Sequence, residues 1–286
     1  MKRAILTIGG RLAMLVAVTL LGGLLSATLV RLAPGFGIDE RELDPRLSQA
    51  SLEAFRASRR LESGLLGYYR DYLVRALHGD FGKSQWLDQP VGSLIRERLP
   101  VTARAVLYGM SLAWTAALIT AIAALFFRGF VLDLVATAGS GLLIALPTGI
   151  VAMLAVYLRA PAFLAISVVI FPKLFRYLRN LLEHAYAQPH VLAARARGIG
   201  TPRIVTRHVL PFVSPALFAL FGVSLGMAFG AAIPIEALSD SPGIGQLAWQ
   251  AALNRDLPLI VNLTLLVTLF TVAVNSAASV PATRAQ

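Results

Sequence analysis

Residues Glu183 to Pro211 read EHAYAQPHVLAARARGIGTPRIVTRHVLP, a basic, loop-like stretch set between long apolar runs. Arg195, Arg197, Arg203 and Arg207 lie within it, with Lys173, Arg176 and Arg179 just upstream. Glu183 is the only acid between Lys173 and His208. A cation cluster of this kind beside membrane spans belongs on the cytoplasmic side, where Lys and Arg accumulate. Pro189 suits the first turn of a short helix through Ala193, Ala194 and Ala196. Gly198 stops it, with Gly200 and Pro202 beyond. A short helix held off the membrane in a polar loop has few neighbours in its own chain against which to bury an apolar face. It reads as a docking surface for a partner, or as a solvated basic loop touching anionic lipid.

Composition sets the class around this loop. The chain has 286 residues, 57% hydrophobic and 14% charged, with a mean hydropathy of +0.70. That is too apolar for a soluble domain of this length and implies an integral membrane protein. There is no cysteine, so disulfides and thiolate metal sites do not arise. A net charge of +11 raises nucleic acid as a partner. Cations flanking apolar spans account for it, and no nucleic-acid-binding motif accompanies them.

Six apolar runs predict an all-α membrane protein with both termini in the cytoplasm. Leu12 to Val30, behind Lys2, Arg3 and Arg11, is about 28 Å long as a helix and crosses as an uncleaved first span. Val101 to Phe127 is the second, with Arg104 able to snorkel outward and Arg128 at the inner turn. Val131 to Leu158 is the third, kinked at Pro147. Arg159 to Pro161 is a very short outer turn before a fourth span from Ala162 to Leu178. Phe212 to Ile235 and Leu259 to Val280 are the fifth and sixth, and Arg284 lies inside. The segments are 1–30, cytoplasmic start and first span; 31–100, extracytoplasmic; and 101–286, a five-span core whose basic loop covers about 179–211. Reversing this topology would send the cations of one short loop outward.

The outer segment from Arg31 to Pro100 has nearly balanced charge and helical spacing in Ser48 to Leu61 and Leu65 to Leu77. In the second, Leu66, Tyr69, Tyr72, Leu73 and Leu77 share a side. Gly79 to Ser84 (GDFGKS) has the Gly-Lys-Ser ending of a phosphate loop, but Leu77 stands where the first glycine is required and no strand precedes it. In the fifth span Gly222, Gly226 and Gly230 recur every four residues. They form a static packing seam or a moving helix contact. From Glu236 to Pro258 a second outer loop sets Glu236, Asp240 and Asp256 against Arg255.

Several elements then resemble those of a known family. Ala193 to Gly198 (AARARG), followed by Arg207-His208 and Leu210-Pro211, is similar to the cytoplasmic loop of bacterial ABC importer permeases. Gly79 to Ser84 resembles an outer-loop element of the dipeptide, oligopeptide and nickel permeases. So do Leu32-Ala33-Pro34-Gly35, Pro90-Val91 and Glu97 to Pro100. Ser241-Pro242-Gly243-Ile244-Gly245 and Asn254-Arg255-Asp256-Leu257-Pro258 are similar to its Pro-Gly-Leu-Gly and Asn-Arg-Asp-x-Pro elements.

The resemblance implies a type I ABC importer permease fold and the first of two permease subunits. It also implies a companion permease, two cytoplasmic ATPases, an extracytoplasmic solute-binding protein and contact with membrane lipid. The loop formed by Glu183, Ala193 to Gly198, Leu210 and Pro211 would carry the coupling helix. ATP would be used by the ATPase, with no cofactor bound by this chain, and peptides or similar small solutes are the implied cargo. The family's outer segment between its third and fourth spans is longer than Arg159 to Pro161.

Three rival functions stay open. His184, His190 and His208 are not spaced as a metal-ligating pair, which argues against a metalloenzyme. Acids inside the spans are scarce, with Asp133 near an inner end, and no internal repeat is evident. Both features argue against a secondary transporter. A non-transporting scaffold that keeps the permease fold fits the shortened outer turn. Ser224, Asn262 and Thr264 are polar groups in or near spans, of the kind that bond to neighbouring helices more often than to cargo.

Overall fold

The computed structural model describes residues 2–32, 65–126 and 130–282. Among them the regular elements are helices: α1 (Lys2–Leu32), α2 (Leu65–Leu77), α3 (Val91–Phe126), α4 (Phe130–Ala145), α5 (Thr148–Tyr157), α6 (Ala162–Tyr186), α7 (Pro189–Ala196), α8 (Thr201–Ile204), α9 (Leu210–Leu238), α10 (Ile244–Leu253) and α11 (Leu257–Ala282). Val205–Val209 is a π turn joining α8 to α9. The expected helix over Ser48 to Leu61, residues Ala33-Pro34-Gly35, Arg128 and Arg284 lie outside the described residues.

Among the described residues, three helical stretches are long and apolar enough to cross a membrane: Val91–Phe126, Thr201–Leu238 and Leu257–Val274. They contain the run expected as the fifth span and overlap most of those expected as the second and sixth. The first apolar run forms part of α1, with Leu15–Leu29 as a shorter apolar helix. The expected third span is not one rod. Leu134–Ala145 and Thr148–Tyr157 meet at 93°, far more than a proline kink, so the pair is a broken span or a re-entrant loop. Pro147 removes the amide that would have continued α4 and becomes the N-cap residue of α5. The expected fourth span also differs. α6 runs past Leu178 to Tyr186 and falls outside the apolar set, because Lys173, Arg176 and Arg179 share it with Ile166, Ile170, Leu174, Leu178 and Leu182. Those five recur every four residues and are buried, so α6 is amphipathic along its length.

The chain forms two compact units. One comprises Met1–Glu97 with Ala248–Leu269, the other Arg98–Leu247 with Phe270–Gln286. In the first, Ala27, Tyr69, Tyr72, Leu257 and Val261 make a core flanked by Leu24, Leu73, Ala76 and Leu265. The phenols of α2 carry polar ends into it. Tyr69 OH donates to the Leu20 carbonyl (2.6 Å) and Tyr72 OH donates to Asn262 Oδ1 (2.6 Å). This is how a buried tyrosine is accommodated at low cost. Ser26 and Thr264 hydroxyls pair at 3.1 Å.

In the second unit α9 packs chiefly on α6 and α5, and α4 packs on α6. One close helix approach in this unit was not picked out from the sequence. A Cβ at Gly109 would lie 2.7 Å from the Phe163 carbonyl oxygen and 2.9 Å from Ile166 Cβ, so only glycine lets α3 come this close to α6. Of the Gly222, Gly226, Gly230 ladder, Gly230 takes no part in joining α9 to this core. Gly230 is exposed with open space above it, whereas Ser224, Ala228, Ala232 and Ile235 are buried. The indole of Trp114 donates to Ser224 Oγ (2.9 Å), bonding α3 to α9.

Candidate functional site

The basic loop folds as its residues dictate. Pro189 occupies the first turn of α7 behind an extended Gln188. At the other end the Gly198 amide donates to the Arg195 carbonyl (2.9 Å), and the Ile199 amide reaches back to Ala194 (3.3 Å). Gly198 has φ +76°, the left-handed conformation this paired closure requires. Gly200 is then the N-cap residue of α8, with Pro202 in its first turn.

The loop has an inner and an outer side. Val191, Ala194, Ile204, Val205 and Val209 are buried. Leu192 is 51% exposed, and Ala193, Arg195, Ala196 and Arg197 are exposed with it. Arg195 lies over the Tyr186 ring, 5.4 Å from its centroid, and His190 sits 5.2 Å from the Phe212 ring. Glu183 is engaged upstream of α7. It pairs with Arg179 (2.8 Å), whose other arm donates to Thr137 Oγ1 of α4 (2.7 Å). Leu210 and Pro211 form the first turn of α9, Leu210 half-buried and Pro211 exposed.

The motifs expected on the outer side form two hydrogen-bonded corners, one in each unit. In the second unit Glu236, in the last turn of α9, is fully buried. Its Oε2 accepts from Thr102 Oγ1 (2.9 Å) and from the Gly245 amide (2.8 Å). Thr102 Oγ1 accepts in turn from the Ile244 amide (2.8 Å). Gly243 lies directly on the Glu236 carboxylate, and a Cβ at Gly245 would meet the Ile233 backbone, 2.6 Å from its Cα. Pro242 is exposed at the tip of the turn. Both glycines are therefore demanded by close approach. Arg98 Nη1 donates to Gln246 Oε1 (2.9 Å), and Gln246 donates to Asp240, which extends the corner.

In the first unit Asp256 is equally buried and caps α11, its Oδ1 accepting from the Leu259 amide (3.1 Å). Oδ2 accepts from Ser84 Oγ and from the Trp86 amide (3.1 Å). Arg255 has φ +54°, turning the chain out of α10, and Pro258 sits in the first turn of α11. Just below, Asn262 Nδ2 donates to the Phe81 carbonyl (2.9 Å). The Gly79–Ser84 element is thus a turn, with Gly79 and Gly82 at φ +82° and +75°, and its serine is fastened to Asp256. Sequence reasoning treated Glu236 and Asp240 as loop acids, knew Asp256 and Ser84 only as members of short motifs, and passed over Thr102. The missed signal was an acid abutting an apolar run in a glycine-rich turn.

Comparison with known proteins bears on this arrangement. Residues 115–281 match the family described as "Binding-protein-dependent transport system inner membrane component". The match contains the basic loop and both corner turns, Pro242 to Gly245 and Asn254 to Pro258. The chain belongs to that family. Among its relatives, the oligopeptide transport system permease protein OppB of Escherichia coli K12 is 30% identical over 266 residues, covering 85% of each chain. OppB of Salmonella typhimurium is 28% identical over 270 residues, again covering 85% of each. A Brucella suis biovar 1 protein whose name proposes a peptide permease is 28% identical over 296 residues, 92% of this chain and 91% of that one. This protein is accordingly a multi-pass inner membrane component of a binding-protein-dependent transport system, and not an enzyme in its own right.

Proposed function

We propose that the chain forms half of the translocation pathway of an ATP-driven importer for peptides, with six membrane crossings, both termini in the cytoplasm and α7 as its coupling helix. The names of its relatives supply the cargo class. The observation that carries the coupling assignment is the exposed Leu192, Ala193 and Ala196 side of a capped helix surrounded by arginines. A cytoplasmic ATPase fills that side, a companion permease completes the pathway and an extracytoplasmic solute-binding protein delivers cargo. From Thr201 to Leu238 the chain is one helical stretch of 38 residues, about 57 Å long. Ile204, Val205 and Val209 are buried at one end of this stretch and Glu236 at the other. A displacement of α7 therefore reaches the outer corner along one element, as a rigid-body switch between two states requires. The π turn lies where the loop hands over to the span, a common place for functional irregularity.

The two sides of α7 give the test. Ala193→Asp puts a charge on the exposed side and is expected to cut ATPase co-purification and peptide uptake several-fold with membrane insertion unchanged. Gly198→Pro, which fixes φ near −65° and removes the amide donor, should do the same. Ala194→Asp strikes the buried side, so it should lower the yield of folded protein as well. Wild-type ATPase recovery and uptake in Ala193→Asp would sink the coupling assignment.

A further inference from the structure

The first unit carries exposed aromatic side chains that the corner around Asp256 does not use. Trp86 is 43% exposed, Trp249 53% and Leu253 64%. Trp249 and Leu253 are one turn apart on α10, and the opposite side of that helix holds the buried Leu247 and Ala251. The height of these side chains in the membrane is set by α11. Leu257–Val274 is an apolar span, and Asp256 is its N-cap residue, so Asp256 marks the end of the span. The Trp86 amide is bonded to that carboxylate, and Leu253 precedes Asp256 by three residues. Charged side chains accompany them, since Lys83, Asp88 and Arg255 are all exposed. Indoles beside charges at the end of a span match the headgroup zone, where an amphipathic ring has its apolar body in lipid and its N–H in water.

We propose that Trp86, Trp249 and Leu253 form an interfacial anchor that seats the Asp256 corner in the headgroup region of the outer leaflet, with the lipid surface itself as the partner. The anchor rests on α11 being a crossing.

The three tryptophans of the chain, Trp86, Trp114 and Trp249, make the anchor directly readable. Full-length single-tryptophan variants are reconstituted in phosphatidylethanolamine–phosphatidylglycerol vesicles: Trp86→Phe with Trp114→Phe leaves Trp249, and Trp114→Phe with Trp249→Phe leaves Trp86. Leu269→Trp with all three native indoles replaced by Phe reports the middle of α11. For Trp86 and Trp249 the expected result is blue-shifted emission, quenched several-fold more by lipids brominated near the glycerol than by chain-end bromines or aqueous iodide. Water-like emission quenched by iodide alone would make these side chains an aqueous docking surface and overturn the proposal. Emission shielded from both quenchers would place protein over them, with the same consequence. If tryptophan at position 269 is quenched by chain-end bromines in either case, α11 still crosses and only the anchor fails. If it too lies in water, the span reading fails.

Discussion

Gly245→Ala is expected to abolish peptide uptake and to lower sharply the yield and thermal midpoint of the purified subunit. The added methyl would sit 2.6 Å from Ile233 Cα and against the same residue's carbonyl, and both are backbone atoms inside α9. No rotamer change relieves such a contact, so the turn itself must withdraw. Overpacking of this kind costs about 1–3 kcal/mol. Withdrawal also pulls the Gly245 amide from Glu236 Oε2, and Glu236 Oε1 already lacks a partner among the described residues. Stranding a buried donor or acceptor costs about 1–3 kcal/mol more, with charged groups at the upper end. Gly230→Ala is the control on the same helix. Its Cβ meets open space, and alanine is favoured over glycine in a helix interior by about 1 kcal/mol. That variant should fold at least as well as the wild type. Normal uptake by Gly245→Ala would remove the outer corner from the account of this protein.

The contrast between these two glycines shows where the sequence is legible. Membrane class, the apolar runs behind α1, α3, α9 and α11, and the loop helix from Pro189 to its glycine stop are local properties. Hydropathy over about 20 residues and the φ preferences of Pro and Gly decide them. Which side of a helix meets a neighbour is not local. Gly222, Gly226 and Gly230 have the spacing of a packing seam, yet Gly230 faces open space while Ser224, Ala228 and Ala232 of α9 are buried. The size of the break at Pro147 depends on what α5 packs against, so a kink was readable and a 93° bend was not. α6 misled for another reason. Its charges lie within one contiguous run with its apolar residues, and only the four-residue period separates the buried stripe from the polar side.

The two corners escaped sequence reading because their partners are distant along the chain. Thr102 and Glu236 are separated by 134 residues, Ser84 and Asp256 by 172. Pro242 to Gly245 and Asn254 to Pro258 were recognisable as family elements, but the resemblance did not say what their residues do. The structure supplies that reason. The glycines admit a carboxylate and a backbone at close range, and the aspartate caps a span while holding a loop from the far end of its unit.

Asp256→Ala is accordingly expected to have the second large effect, and its origin can be dissected. Alanine removes the acceptor for the Leu259 amide, a capping loss of about 1 kcal/mol. It also strands the Trp86 amide and the Ser84 hydroxyl, the latter fully enclosed, each at about 1–3 kcal/mol if no other acceptor takes over. The Gly79 to Pro90 turn should then loosen, to be seen as faster proteolysis there and a lower thermal midpoint, together with loss of uptake. Asp256→Asn keeps an oxygen for Leu259 but presents its amide to the Trp86 donor, so it should fall between wild type and alanine. Ser84→Ala separates the contributions. Alone it costs the Ser84–Asp256 bond and the acceptor of the Leu87 amide (3.0 Å); added to Asp256→Ala it should cost much less, since that bond is already gone. Additive losses in the double variant would mean that Ser84 and Asp256 act separately. Such a result would leave the outer loop element without its fastening to the span.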